Sequence, residues 1–194
     1  MTGKQTILKF LYPAFVGMSK IFGKNIRNVS STAVAKTSFY DLSITLNDGN
    51  KLMLRELKSK KILLVNTASN CGYTAQYAGL QDLHKKHSDK LVIVAFPSND
   101  FGAQEKGSDN NIIEFCKLNF GVRFPLAKKS SVIKNSEQNE VYRWLTNEEN
   151  NGWNNVAPSW NFCKYLVNEE GNLVNFFESG IDPMGSEIDQ AINL

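Results

Sequence analysis

Along the chain, apolar and polar positions sort into blocks with different periods. Residues 39–46 and 51–57 alternate in part and flank Asn47-Asp48-Gly49-Asn50, which predicts a β-hairpin. Residues 61–68 form an apolar, β-branched run suited to a strand buried on both faces. Ser69-Asn70-Cys71-Gly72 punctuates it, and residues 73–87 read as a helix with Tyr77, Leu80 and Leu83 on one stripe. Residues 91–96 make a second buried strand, stopped by Pro97. A glycine-containing loop over 98–108 leads to a helix over 109–119, with Ser108 or Asp109 as its cap. Residues 137–146 predict a further helix, 160–168 and 172–177 two strands joined at Glu170-Gly171, and 185–192 a closing helix. Parallel strands joined through helices and finished by an antiparallel pair predict an α/β fold, a three-layer α/β/α sandwich behind an N-terminal β-hairpin.

The 194 residues are 42% hydrophobic and 21% charged, the composition of one ordinary globular domain. The net charge of +3 conceals an asymmetry. Residues 1–40 hold Lys4, Lys9, Lys20, Lys24, Arg27 and Lys36 and no acid, so a basic leader precedes a mildly acidic body. Such a body suits nucleic acid poorly. We therefore divide the chain into a basic apolar extension, 1–36, and a domain, 37–194. Within the extension, residues 10–18 are apolar and flanked by lysines, and Ala33-Val34-Ala35 looks like a cleavage site. Pro13 interrupts the apolar stretch, and the 14 residues between Met18 and Ala33 are too many for a signal peptide. An interfacial segment making weak membrane contact and a loosely packed extension stay open beside export. Residues 17–24 mimic a phosphate loop, but the glycine spacing is wrong and Asn25 replaces the required Ser or Thr. Three scattered cysteines do not make a disulfide framework, and His84 and His87 lack partners for a metal and read as helix-surface residues.

Cys71 is the candidate nucleophile, with a small buried residue without chemistry as the alternative. It falls where a buried strand gives way to a helix, at the sheet edge where ligands bind in open α/β folds. Unpaired N–H groups and the positive end of a helix favour thiolate, the nucleophilic form, and lower a thiol from ~8.5 to roughly 3.5–7.5 in such places. The text around it is specific. Asn66-Thr67-Ala68-Ser69-Asn70-Cys71-Gly72-Tyr73-Thr74 closely resembles the peroxidatic motif of the glutathione peroxidase family. Phe96-Pro97-Ser98-Asn99-Asp100-Phe101-Gly102-Ala103-Gln104-Glu105 and Trp160-Asn161-Phe162 resemble its second and third signatures, in the family's order. The stretch Phe115-Cys116-Lys117-Leu118-Asn119-Phe120-Gly121-Val122 with Phe124-Pro125 matches between them.

The resemblance implies a thioredoxin-like fold and a thiol peroxidase active in the response to oxidative stress. It implies that Cys71 attacks a peroxide and becomes a sulfenic acid, with Gln104, Trp160 and Asn161 as neutral donors completing a tetrad. It places Cys116 as the resolving cysteine of the thioredoxin-dependent branch, with glutathione as the other reductant to weigh. Because a disulfide needs Cα atoms roughly 4.4–6.8 Å apart, the helix carrying Cys116 is expected to open, its Asn110-Asn111 start being the weak point. Two positions depart from the family's text. Ser98 stands where a cysteine is common, and Cys163 where threonine is frequent; on a strand, Cys163 would share a face with Asn161. The short connection from Tyr142 to Trp160 favours a monomer with an open site that admits bulky hydroperoxides. Thr74 occupies the place of the second thiol of a disulfide reductase, which argues against that activity. A non-enzymatic peroxide sensor or membrane-surface module is the alternative. Thioredoxin recycling points to the cytoplasm, and the leader to export or membrane attachment.

Overall fold

The computed structural model describes residues 26–28 and 33–194. The apolar stretch over 10–18 and the phosphate-loop mimic over 17–24 lie outside the described residues. The elements are β1 Ile26–Asn28, β2 Ser43–Thr45, β3 Lys51–Met53, β4 Lys61–Thr67, α1 Gln76–Lys86, β5 Leu91–Pro97, α2 Asp109–Phe120, α3 Glu140–Leu145, α4 Glu148–Asn151, β6 Lys164–Val167, β7 Leu173–Phe177 and α5 Ser186–Asn193. Among the described residues, the main sheet has the order β1-β7-β6-β4-β5, and β2 and β3 form the separate hairpin. β4 pairs in parallel with β5 and antiparallel with β6, so the α1 crossover and the closing antiparallel pair are both as expected.

Every residue of β4 is buried, as its unbroken apolar run requires of a strand covered on both sides. Its alternate side chains divide the interior. Leu63 and Val65 join Tyr77, Leu80 and Leu83 of α1, Ile112 and Cys116 of α2, and Ile188, Ala191 and Ile192 of α5. Ile62 and Leu64 join Val141, Tyr142, Trp144 and Leu145 of α3 and the hairpin residues Phe39, Ile44 and Leu54 on the other face. This is the α/β/α sandwich. The hairpin is shorter than its pattern suggests, because short 3-10 turns at Phe39–Asp41 and Leu54–Leu57 close both of its ends. Three residues of the expected extension, 26–28, pair with β7, and Lys36 and Thr37 donate to the Asn150 carbonyl.

Three boundaries differ for local reasons. α1 begins at Gln76 because residues 71–74 are closed as a turn by the Thr74 hydroxyl. α3 begins at Glu140 because Asn139 accepts the Val141 N–H and caps it. Residues 160–163 are not strand: Phe162 has φ +69°, which breaks the pleat just before β6. His87 is not on the surface either. It is 5% exposed, and its Nε2 lies 3.0 Å from Asp189 of α5.

Gly171, in the β6–β7 turn, has φ +83°, and a Cβ there would lie 2.8 Å from the Tyr40 ring. The ring cannot retreat, since Tyr40 is buried and its hydroxyl donates to the Glu169 carbonyl at 2.6 Å. Gly49 has a similar φ, +89°, in open space. Urea unfolding of Gly171→Ala should show a loss of about 3 kcal/mol, from strain plus overpacking. Gly49→Ala should lose about 1 kcal/mol, from strain alone.

Candidate active site

Three connections converge at one end of β4. The first, after β4, carries Cys71. The Cys71 N–H donates to Thr74 Oγ1 at 2.9 Å, and that hydroxyl donates to the Ala68 carbonyl at 2.9 Å. The Tyr73 N–H then points back at the sulfur, 3.4 Å away. Cys71 therefore sits in a turn ahead of α1 rather than on its first turn, and its backbone donors come from that turn.

The second connection, after β5, carries Gln104. The Ser98 N–H donates to the Thr67 carbonyl at 3.0 Å and the Asn70 N–H to the Gln104 carbonyl at 3.1 Å, zipping the two connections together. The third, before β6, carries Trp160 and Asn161. It is clamped by Asn66, whose amide donates to the Trp160 carbonyl at 2.9 Å and accepts the Cys163 N–H at 3.0 Å. The Phe162 N–H donates to the Asn66 carbonyl as well. The result is that the Trp160 and Asn161 side chains lie near the Cys71 sulfur, where their N–H groups favour its ionised form. Asn161 Nδ2 also donates to Gln104 Oε1 at 3.0 Å, so Gln104 joins the cluster through Asn161. The four expected residues are thus brought together, Trp160 and Asn161 beside the Cys71 sulfur and Gln104 through Asn161.

Electrostatically the site differs from expectation. Cys71 is 0% exposed, and burial pushes its thiol above the ordinary value; the donors from Tyr73, Trp160, Asn161 and Gly72 pull it back only in part. Nor is the site open: the sulfur is enclosed, and Trp160, 39% exposed, is the donor that reaches solvent. Cys116 is equally buried, its thiol pushed up to about 12 by burial with Glu105 adding to the rise. All three cysteines are free thiols. Cys116 shares the apolar core of Cys71, whereas Cys163 packs into the opposite one. Because the chain turns at Phe162, Cys163 does not share a strand face with Asn161; its sulfur lies 3.3 Å from the Ser179 hydroxyl. Among the described residues, no group of three or more His, Cys, Asp or Glu is placed to hold a metal ion.

Sequence reasoning missed two residues that build the site. Asn66 is a fully buried amide inside an otherwise apolar strand, and that polar interruption was its signal. Glu105, 1% exposed, accepts from the Ser69 N–H and hydroxyl at 2.8 and 2.9 Å. A buried carboxylate gives no local sequence signal of its own.

The fold and the donor-lined buried thiol define a thioredoxin-fold redox protein. The DsbF homologue from Corynebacterium diphtheriae has the same fold, with a TM-score of 0.64 over 88% of this chain and 93% of that one, at 14% identity. The glutathione peroxidase family profile matches residues 39–146. Glutathione peroxidase-like peroxiredoxin 2 of Saccharomyces cerevisiae is 45% identical over 157 residues, covering 80% of this chain and 95% of that protein. Glutathione peroxidase homolog BsaA of Staphylococcus aureus is 42% identical over 151 residues, 77% and 94% of the two chains. The apo crystal structure of Trgpx superposes with a TM-score of 0.62 at 30% identity, over 82% and 95%. The chain belongs to the glutathione peroxidase family, in its cysteine branch, and is a peroxidase that uses a thiol reductant.

The raised thiol fixes a pH dependence. Below its pKa, the thiolate fraction grows tenfold per pH unit, and thiolate is the form that alkylates. Iodoacetamide labelling of Cys71, followed by mass spectrometry of its peptide, should quicken about tenfold per unit from pH 7 to 9 with no plateau. A plateau reached by pH 7 would mean that the donors outweigh burial.

Proposed function

We propose that this protein reduces hydrogen peroxide and organic hydroperoxides through Cys71, with Cys116 as resolving thiol and thioredoxin as reductant. The observation that carries the reading is the placement of Trp160 and Asn161 beside a single buried sulfur, with Gln104 bonded to Asn161. In the first step the sulfur attacks one peroxide oxygen. An S–O bond forms, the O–O bond breaks, and the thiol proton ends on the departing oxygen as alcohol or water. Cys71 is left as sulfenic acid. The indole and amide N–H groups stabilise the negative charge that develops on sulfur and leaving oxygen, fixed in place before the reaction begins. Asn161→Ala should lower the peroxide rate constant about 10²-fold, read by single-turnover oxidation.

In the second step Cys116 attacks the oxidised sulfur. The S–S bond forms, the S–O bond breaks, and hydroxide leaves with the Cys116 proton as water. A thiol at about 12 inside the core is a poor nucleophile where it stands, so α2 has to open. The expected weak start supplies no help: Ser108 and Asn111 cap each other, and Gly121 at φ +62° closes the far end onto the Cys116 and Lys117 carbonyls. What has to give is the packing. Of the residues of α2, Ile112 and Cys116 are fully buried, Ile113, Phe115 and Phe120 pack partly exposed against the same core, and Leu118 is 74% exposed. Opening the helix means a local unfolding in which these contacts are given up.

Thioredoxin is preferred over glutathione because Cys116 offers an internal disulfide for a dithiol to open. Thioredoxin recycling also supports a cytoplasmic location, with export or membrane attachment through residues 1–36 as the alternative, and the short Tyr142–Trp160 connection supports a monomer. The deciding experiment follows peroxide-dependent NADPH consumption with thioredoxin and glutathione systems in parallel. The thioredoxin-coupled rate of Cys116→Ser should fall at least about tenfold while a single turnover of Cys71 persists. An unchanged coupled rate would remove Cys116 from the cycle. Stoichiometric oxidation of the wild type without turnover in either system would favour the sensor instead.

A further inference from the structure

Glu105 is a buried carboxylate that the peroxide chemistry does not use. It stands between the Cys71 turn and the Gln104 loop. Its carboxylate accepts the Ser69 N–H at 2.8 Å and the Ser69 hydroxyl at 2.9 Å, two residues before the reactive sulfur. Its own N–H donates to Asn99 Oδ1 at 2.9 Å, which fixes the Gln104 loop on the other side. The adjoining backbone bond, Asn70 N–H to the Gln104 carbonyl, closes the same seam. A carboxylate taken out of water is costly, and two charge-assisted bonds from one residue are the compensation seen here.

We propose that Glu105 is a positioning residue for peroxide reduction: its ionised carboxylate pins Ser69, and through it the Cys71 turn, against the loop that carries Gln104. Protonation neutralises the acceptor of both bonds and takes up one of its lone pairs, so both weaken and the turn loosens relative to Gln104 and Asn161. The carboxyl bonds Ser69 from the Cys71 turn, and Lys129 from the segment beyond α2, Tyr77 from α1 and Cys116 from α2 are near enough to interact with it through charge. Lys129, whose ammonium donates to the Glu105 and Gly107 carbonyls, favours the ionised form. Burial outweighs it and holds this carboxyl up at about 7. The site therefore loosens as the pH falls through neutrality.

Cys71 supplies a different pH dependence, because its own thiol titrates above the ordinary value and gives a constant tenfold per unit below it. Glu105 adds a second ionisation below about pH 7. The test is quench-flow oxidation of the whole protein by hydrogen peroxide from pH 5.5 to 9, reading residual Cys71 thiol by alkylation and peptide mass. The readout ends at the first oxidation and so does not depend on Cys116. In the wild type, the logarithm of the rate should rise with a slope of one well above pH 7, steepen as Glu105 protonates below it, and return towards one when the protonated form carries the rate. Glu105→Gln keeps a neutral acceptor, so its rate at pH 8 should be about tenfold lower, with a slope of one throughout. Ser69→Ala loses the hydroxyl but keeps the N–H, so a loss of about threefold with the break retained is expected. A wild-type rate in Glu105→Gln, or a break near pH 7 that survives it, would overturn the proposal. If Glu105→Gln does not fold, a wild-type rate in Ser69→Ala would overturn it instead.

Discussion

The constraint behind the rest of the structure is the burial of a sulfur that must become an anion. Cys71 lies out of solvent, between the apolar core under α1 and the three connections that carry its donors. Burial opposes the charged form, and donors favour it; in the resting protein burial has the upper hand. The same dry setting makes each donor worth more once charge develops, because the hydrogen bonds do not compete with water. A site of this type holds its reactive form back at rest and stabilises it strongly during the reaction.

Holding those donors in place occupies a second tier of buried polar groups. Asn66 fixes the Trp160–Asn161 connection with both ends of its amide, Thr74 closes the Cys71 turn, and Glu105 ties that turn to the Gln104 loop. Each is paired on the side that faces the loop it holds. Leaving any of them without a partner would cost more than the bond itself contributes, which makes the three loops mechanically interdependent. Gln104 illustrates this: it bonds Asn161 rather than the sulfur, so its position transmits to Cys71 through a neighbour.

The two ends of the proposed cycle ask opposite things of the fold. Peroxide reduction needs the loops rigid, and resolution needs α2 to leave. The structure separates these demands spatially. The donor loops are stitched by buried hydrogen bonds, while α2 is a capped helix attached through apolar contacts, with Ile112 and Cys116 fully buried and Ile113, Phe115 and Phe120 partly so. Cys116 is one of its two fully buried residues, so the group that must move is part of what holds the helix down.

Much of this was legible in the residues alone. The unbroken apolar runs of β4 and β5 announced strands covered on both faces, the Tyr77, Leu80 and Leu83 stripe announced α1, and the motif text gathered Cys71, Gln104, Trp160 and Asn161. These are local patterns, or short motifs whose family resemblance can be read from the residues themselves. What the sequence did not determine was long-range. Residues 160–163 looked like strand, yet Asn66, 94 or more residues away, bends them into the loop that aims two donors at sulfur. The thiol was expected to be acidic from its place beside a helix, yet desolvation by a core assembled from distant elements raised it. Periodicity and side-chain chemistry are written residue by residue. Solvent exclusion and the partner of a buried polar atom are properties of the packed whole, and only the tertiary structure decides them.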